Sequence, residues 1–153
     1  IVRENKHNSV EAIRVNILLK TIKAVYAEKF TGETAGVITP WRMQISKIKS
    51  RIEDGKLIEK VTIDTVERFQ GSERDIIIMS LAVYNRAQLE NLQSLNFDKT
   101  VHRKLNVALS RAKEQIIILG CEEVLSSSPH YSAIIDIIKD KNGYVSNVDI
   151  FNK

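Results

Sequence analysis

Two runs of consecutive apolar residues limit most strongly what this chain can fold into. Residues 75–81 contain three isoleucines in a row followed by a methionine, and residues 115–120 contain another three isoleucines followed by a leucine. Strands that are apolar on both faces fit the interior of a parallel sheet that helices cover on each side. These two runs therefore favour an α/β architecture.

Shorter elements alternate with these runs. Residues 36–39 and 61–66 are typical of strands, and helices are expected at about 8–29, 42–53, 103–113 and 129–141. Three signals mark expected helix starts. Asn8 with Glu11 forms a capping-box variant, Pro40 suits the first turn of the second helix, and Ser128 is expected to cap the last one. Strands that alternate with helices predict a three-layer α/β sandwich with a mostly parallel sheet.

The chain is expected to form a single domain over residues 1–153, because 153 residues suffice for one real core. Residues 85–99 show no clear period and are expected to be a long polar excursion, which in a compact domain is usually functional or mobile. The sequence starts abruptly with Ile1, so we expect a piece of a longer protein.

Composition narrows the class of protein further. The chain is 43% hydrophobic and 27% charged, which argues against disorder. A net charge of +4 permits nucleic-acid binding but does not demonstrate it. Cys121 is the single cysteine, which excludes an internal disulfide and indicates a reducing, cytoplasmic setting. No apolar run is long enough to span a membrane, so no membrane partner is expected.

The first segment with candidate chemistry is Gly36–Gln44, with the sequence Gly-Val-Ile-Thr-Pro-Trp-Arg-Met-Gln. From its residues alone, it is a turn between a strand and a helix. Ligands of α/β sheets bind beyond the carboxyl ends of the strands, and Thr39 and Pro40 stand at such an end. Trp41 could stack on a base, although an aromatic residue after a buried strand is more often packed.

The second segment covers residues 62–75 and contains Phe69-Gln70-Gly71-Ser72-Glu73. Gly71 allows a close approach of backbone to a ligand or a strained turn. Glu73 can accept hydrogen bonds from hydroxyl groups. The loop is expected to follow the preceding strand directly, at its carboxyl end. The alternative is a glycine turn surrounded by solvated charges.

The third segment is the predicted helix at 103–113, with the sequence Arg-Lys-Leu-Asn-Val-Ala-Leu-Ser-Arg-Ala-Lys. Arg111 comes late on this helix, where it can reach from a domain edge towards a phosphate. An arginine suits that role because its charge is permanent and its fork matches phosphate oxygens. The alternative is an exposed arginine paired with an acid such as Glu114.

Together, in this order, the three segments resemble motifs IV, V and VI of the superfamily 1B helicases related to the nonsense-mediated-decay helicase. The resemblance implies a RecA-like fold, that of the second motor domain of a P-loop NTPase helicase. It implies that Arg111 is a finger on the ATP γ-phosphate and that Glu73 contacts the ribose. It further implies that Gly71 and Gln44 contact the nucleotide, with Arg42 as an additional candidate, and that Thr39, Pro40, Thr65 and Asn106 contact the nucleic acid.

The chain departs from the family at two positions. Trp41 replaces the usual tyrosine, and Ile45 stands where some members carry a phosphate-binding arginine. Arg42 could supply that charge from nearby. Whether it replaces the missing arginine stays open, as do the choice of DNA or RNA and any flanking domain such as a nuclease. The family resemblance implies 5′-to-3′ movement, although no residue shows direction.

The sequence also lacks what the first motor domain of such helicases supplies. It contains no Gly-x-x-x-x-Gly-Lys-Ser/Thr loop and no Asp-Glu pair after an apolar strand. The resemblance therefore implies that ATP and Mg²⁺ bind at a cleft shared with the first motor domain, which is expected to carry the Mg²⁺ ligands. The implied partners are that domain and single-stranded DNA or RNA, and the fragment alone should be inactive.

The sequence leaves three other functions open. The first is a non-catalytic module that keeps the motor fold to bind nucleic acid or protein, and the presence of Arg111, Glu73 and Gly71 together disfavours it. The second is a helicase fused to a further domain. The third is a simpler α/β phosphate-binding enzyme, which would need its own glycine-rich phosphate loop.

Overall fold

The computed structural model describes residues 9–69, 71–94 and 107–146. Helices and strands alternate along the described chain, as the sequence predicted. Their order is α1 (Ser9–Tyr26), a 3₁₀ turn (Ala27–Lys29), β1 (Ala35–Ile38), α2 (Arg42–Arg51), α3 (Gly55–Lys60), β2 (Thr62–Asp64), a 3₁₀ turn (Val66–Phe69), β3 (Arg74–Ser80), α4 (Arg86–Ser94), helical residues 107–110 (α5), β4 (Ala112–Leu119), α6 (Glu122–Leu125) and α7 (Pro129–Asp140).

The four described strands form one sheet in the order β2-β1-β3-β4, and every neighbouring pair is parallel. Strands β1 and β3 occupy the centre, and β1 is buried along its whole length. The pairing of β3 with β4 is irregular between Arg74 and Ile76. A β-bulge there places two residues of β4 opposite one residue of β3, directly after the strands begin.

Helices cover both faces of the sheet, which gives the predicted three-layer RecA-like α/β fold. On one face, α1, α2 and α3 pack on the strands through an apolar cluster that includes Leu19, Val37, Ile48 and Ile78. On the other face, the crossover from β2 and residues of α4, α5, α6 and α7 form a second cluster around Ile77 and Met79. Among the described residues, no helix is both long and apolar enough to cross a membrane.

Several local expectations were wrong. Residues 86–94 are not irregular but form α4, because the Asn85 side chain accepts a hydrogen bond from the Gln88 backbone N–H and Leu89 is buried. A further short helix, α3, begins after Asp54, whose carboxylate accepts bonds from the N–H groups of Lys56 and Leu57. Helix α5 ends at residue 110, so that Ala112 already belongs to β4.

The expected helix caps also differ from those observed. Pro40 does not lie in the first turn of α2, because Trp41 occupies the N-cap position and Arg42 begins the helix. Ser128 stands at the N-cap position of α7, but its hydroxyl makes no cap bond. Asn8 lies outside the described residues. Glu11, its expected partner, instead directs one carboxylate oxygen to the end of β3.

Candidate functional site at two edges of the sheet

The predicted site residues lie at two opposite edges of the sheet. The amino edge, where the strands begin, carries Gly71, Glu73 and Arg111. The carboxyl edge, where β1 and β2 end, carries Thr39, Pro40, Arg42, Gln44 and Thr65. Asn106 lies outside the described residues. The loop at residues 71–73 was expected at the carboxyl edge, but the 3₁₀ turn carries the chain across before the loop enters β3.

The loop before β3 has a backbone that suits glycine. Gly71 has φ of +77°, in the left-handed region, and it is exposed, with no atom within 4 Å of where a Cβ would stand. The next turn closes through a bond from the Ser72 N–H to the Phe69 carbonyl at 3.0 Å. Glu73 is exposed at the end of this turn, so its carboxylate is available to a ligand.

Arg111 lies beside this loop through the backbone. Its carbonyl oxygen accepts a hydrogen bond from the Arg74 N–H at 2.9 Å, and its own N–H donates to the Ala108 carbonyl at 3.1 Å. The guanidinium donates from Nε and Nη2 to Ser110 Oγ at 3.3 and 3.1 Å. The side chain is half-buried. The amino edge therefore brings Glu73 and Arg111 onto adjacent strand starts.

The expected alternative for Arg111 was an ion pair with Glu114, and within the described ranges no such pair forms. Glu114 Oε2 instead accepts a hydrogen bond from the Tyr26 hydroxyl at 3.4 Å. Burial, ahead of the nearby Glu114 carboxylate, raises the pKa of that tyrosine above its ordinary value. Among the residues that the structure describes, the Arg111 guanidinium is thus held by the neighbouring serine alone.

Sequence reasoning missed Arg74, whose guanidinium donates three hydrogen bonds at this edge. Its Nη1 donates to Ser72 Oγ at 2.9 Å and to the Glu73 carbonyl at 2.8 Å, and its Nη2 donates to Thr62 Oγ1 at 3.0 Å. Its guanidinium carbon lies 5.6 Å from the centre of the Phe69 ring. Its position, as a charged residue at the start of an apolar strand, is only a weak indication of a functional role, since such residues are usually solvated.

At the carboxyl edge, Thr39 and Thr65 end neighbouring strands. The Thr39 N–H donates to the Asp64 carbonyl at 3.2 Å, and the Thr65 N–H donates to Asp64 Oδ1 at 2.8 Å. Thr39 is fully buried, whereas Thr65 and Pro40 are half-buried. The backbone and the partly exposed groups of this edge are therefore what a nucleic-acid strand would meet.

The two predicted nucleotide contacts in α2 lie at the carboxyl edge rather than beside Arg111. Arg42 is exposed at the first position of the helix. Gln44 is fully buried, and its Nε2 donates to Ser80 Oγ at 3.0 Å. In this domain the Gln44 side chain belongs to an internal hydrogen-bond network. Trp41 is likewise packed, and its Nε1 donates to the Leu81 carbonyl at 2.7 Å.

A cleft of about 620 Å³ is lined by residues of α1, α6 and α7 and by residues that follow β3 and β4, among them Tyr84 and Cys121. None of the predicted site residues lines it. The described residues also contain no group of three or more His, Cys, Asp or Glu side chains that could hold a metal ion. The amino edge offers Arg111 and the Glu73 carboxylate, and the carboxyl edge offers the exposed Arg42 together with hydroxyl and backbone groups.

The sequence is similar to a known domain family and to several helicases. Residues 2–123 match the family described as AAA domain. The chain is 36% identical over 118 residues to putative helicase MOV-10 of Gallus gallus, which covers 71% of this chain and 12% of that protein. It is 38% identical over 112 residues to regulator of nonsense transcripts 1 of Dictyostelium discoideum, covering 70% of this chain and 8% of that protein.

A third relative is a DNA helicase. The chain is 34% identical over 121 residues to the DNA polymerase alpha-associated DNA helicase A of Saccharomyces cerevisiae, covering 79% of this chain and 16% of that protein. The parallel sheet and these matches define a RecA-like domain of the AAA class. The chain belongs to the superfamily 1 helicases related to the nonsense-mediated-decay helicase, and it corresponds to their C-terminal helicase domain. It spans less than a fifth of the length of the relatives described above.

Proposed function

We propose that this domain is the second motor domain of an ATP-dependent helicase and that Arg111 is its arginine finger. The observation that carries the proposal is the bond between the Arg74 N–H and the Arg111 carbonyl, which fixes Arg111 next to the Glu73 loop. A cation and a carboxylate at one edge match the two ends of a nucleotide. The guanidinium suits the phosphates, and the carboxylate suits the ribose hydroxyls.

The residues at the amino edge fit part of a nucleotide site. Among the described residues, the Arg111 guanidinium donates only to Ser110 Oγ, so it can turn from this hydroxyl to a phosphate without breaking a described ion pair. The left-handed backbone at Gly71 leaves space in front of the loop. Bound ATP supplies the free energy of γ-phosphate cleavage, and Mg²⁺ ligands belong to the first motor domain in this proposal.

The proposed mechanism depends on a contact between Arg111 and the phosphate that exists in only one state of the motor. Arg111 contributes only when the two motor domains are closed, because it then meets negative charge that develops during phosphoryl transfer. Such a preorganised arginine is worth roughly three to five decades in rate. Opening removes that contact. The cycle changes how the partly exposed Pro40 and Thr65 meet single-stranded nucleic acid at the opposite edge, where the fully buried Thr39 supports them from beneath the surface. A motor moves only by such a difference between states.

The experiment is ATP turnover by the full-length protein that contains this domain, with and without single-stranded DNA or RNA. We expect strand-stimulated turnover that falls by about 10³-fold or more in the Arg111→Ala variant, while ATP binding is largely kept. The Lys113→Ala variant is the matched control, since Lys113 is an exposed cation two residues away in β4. Turnover that does not depend on Arg111 would overturn the proposal.

The second candidate is a non-catalytic binding module. Its supporting observation is that Gln44, a predicted nucleotide contact, is buried and bonded within the domain. Strand binding without any turnover by the full-length protein would favour this candidate. The type of single-stranded nucleic acid that stimulates ATP turnover would also show whether the protein acts on DNA or on RNA.

A further inference from the structure

We propose that Arg74 is a positioning residue for the nucleotide, because it holds the Glu73 loop in place beside Arg111. This inference rests on the proposed function, in which Glu73 contacts the ribose. It assigns to Arg74 no contact with the nucleotide itself. Its role is to fix the backbone from which the Glu73 side chain projects.

The contacts of the guanidinium carry this inference. Nη1 bonds to Ser72 Oγ and to the Glu73 carbonyl, which are two successive residues of the loop. Nη2 reaches in a different direction to Thr62 Oγ1, at the start of β2. The loop is therefore tied to a strand on the far side of β1, because the sheet order is β2-β1-β3.

The surroundings hold the guanidinium in this orientation. The Phe69 ring lies below it at 5.6 Å. Beneath this pair is Gly36 of β1, where a Cβ would come within 2.9 Å of Phe69 Cε1 and 3.1 Å of Arg74 Cγ. A residue without a side chain at this point of β1 thus leaves the room that the Arg74 stem and the ring occupy.

The geometry needs an arginine rather than any cation. A guanidinium is a planar fork with five N–H donors, whereas an ammonium group is a single compact point on a flexible stem. One guanidinium can thus reach three acceptors on two different elements. The Arg74 backbone N–H also donates to Arg111, so one residue contacts both proposed nucleotide-binding residues.

The test is the kinetics of the full-length protein with ATP as the varied substrate. We expect Arg74→Ala to raise KM for ATP about tenfold, which is the loss expected for hydrogen bonds from a charged group, and to change kcat by less than about twofold. Arg74→Lys should give an intermediate KM, because it keeps the charge but not the fork. Arg51→Ala removes an exposed arginine at the end of α2 and should leave KM unchanged.

A double-mutant cycle separates positioning from general stability. If Arg74 acts through Glu73, then Arg74→Ala combined with Glu73→Ala should raise KM no further than Glu73→Ala alone. Where Arg74→Ala does not fold, Thr62→Val removes one acceptor of the guanidinium and should raise KM in the same direction by a smaller factor. Additive effects of the two alanine variants would overturn the role of Arg74.

The same measurements distinguish the two proposals. If Arg111→Ala abolishes turnover but Arg74→Ala leaves KM unchanged, only the role of Arg74 fails. If Arg111→Ala leaves turnover unchanged, the proposed function fails, and the inference about Arg74 fails with it.

Discussion

Glu11 is a buried carboxylate that connects α1 with the end of β3. It is 4% exposed, and its Oε1 accepts hydrogen bonds from the Ala82 N–H at 3.2 Å and from Ser80 Oγ at 3.3 Å. Ser80 in turn accepts the bond from Gln44 of α2. Ala82 has φ of +50°, an uncommon conformation for a residue with a side chain, and the bond from its N–H helps to hold it.

We expect Glu11→Ala to lower the free energy of unfolding by about 3 kcal/mol, because it leaves a buried N–H group without its acceptor and opens a small cavity. Glu11→Gln should cost less, since the amide oxygen can still accept a bond. The measurement is urea unfolding of the chain. Glu59→Ala, which removes an exposed carboxylate of α3, is the control and should change stability by less than about 0.5 kcal/mol.

A loss under 1 kcal/mol for Glu11→Ala, similar to that of the control, would show that Glu11 is not an important acceptor for the Ala82 N–H. The sequence predicted a capping role for this glutamate, because its position three residues after Asn8 is a local pattern. Its partners lie about 70 residues away in the chain, and no local pattern reports such a contact. Gln44 was misleading for the same reason, since its spacing matched a motif while its bonding partner lies in β3.

At the scale of elements, strand β1 shows how the core and the amino edge depend on each other. We expect Gly36→Ala to lower the free energy of unfolding by about 1–3 kcal/mol, because an added methyl group would press on the Phe69 ring and the Arg74 stem. Gly55→Ala is the matched control. No atom lies within 4 Å of that Cβ position, at the first residue of α3.

Thermal and urea unfolding of both variants would measure this difference. Gly55→Ala should be neutral or stabilising by up to about 1 kcal/mol, because alanine restricts the unfolded chain more than glycine does. Equal stability of the two variants would contradict the contact between Gly36 and Phe69. If the Gly36 variant also shows a raised KM for ATP in the full-length protein, the displaced Arg74 stem is the expected cause.

Elements with a strong apolar signal were predicted from the sequence, and those held by single polar bonds were not. Strand β3 was found because its isoleucine run is buried in the interior of the sheet. Strand β4 was found from the same kind of run, but it lies at an edge of the described sheet and its isoleucines are only half-buried, so the expectation of an interior strand holds for β3 alone. Helix α4 was missed because its helical signal is a cap by Asn85 and one buried leucine. The end of α5 was placed too late, because pairing of Ala112 with Arg74 in the sheet takes precedence over helical spacing.

At the scale of the whole molecule, the two groups of site residues are separated by the length of the strands. Strand β4 has eight residues, which corresponds to roughly 25 Å at the usual rise per residue. The sequence placed both Thr39 and the loop at residues 71–73 after a strand, and therefore at the carboxyl edge. The crossover after β2 instead brings residues 71–73 to the amino edge, and the spacing of residues along the chain cannot show at which edge a loop lies. Glu73 and Arg111 therefore lie at the opposite edge of the sheet from Pro40 and Thr65.

The chain on its own is expected not to hydrolyse ATP. The amino edge offers Arg111 and Glu73, whereas the sequence has no glycine-rich loop to surround phosphates and no Asp-Glu pair for Mg²⁺. We expect residues 1–153 to unfold cooperatively but to release no phosphate from ATP above background, even with single-stranded nucleic acid present. An arginine finger cannot stabilise the transition state when no phosphate-binding loop is present, because the loop must first hold the γ-phosphate in position. Phosphate release by the purified chain measures this, with the full-length protein as the active control. Steady release that persists in the Arg111→Ala variant would point to contamination, whereas release that disappears in that variant would contradict the division of the site between two domains.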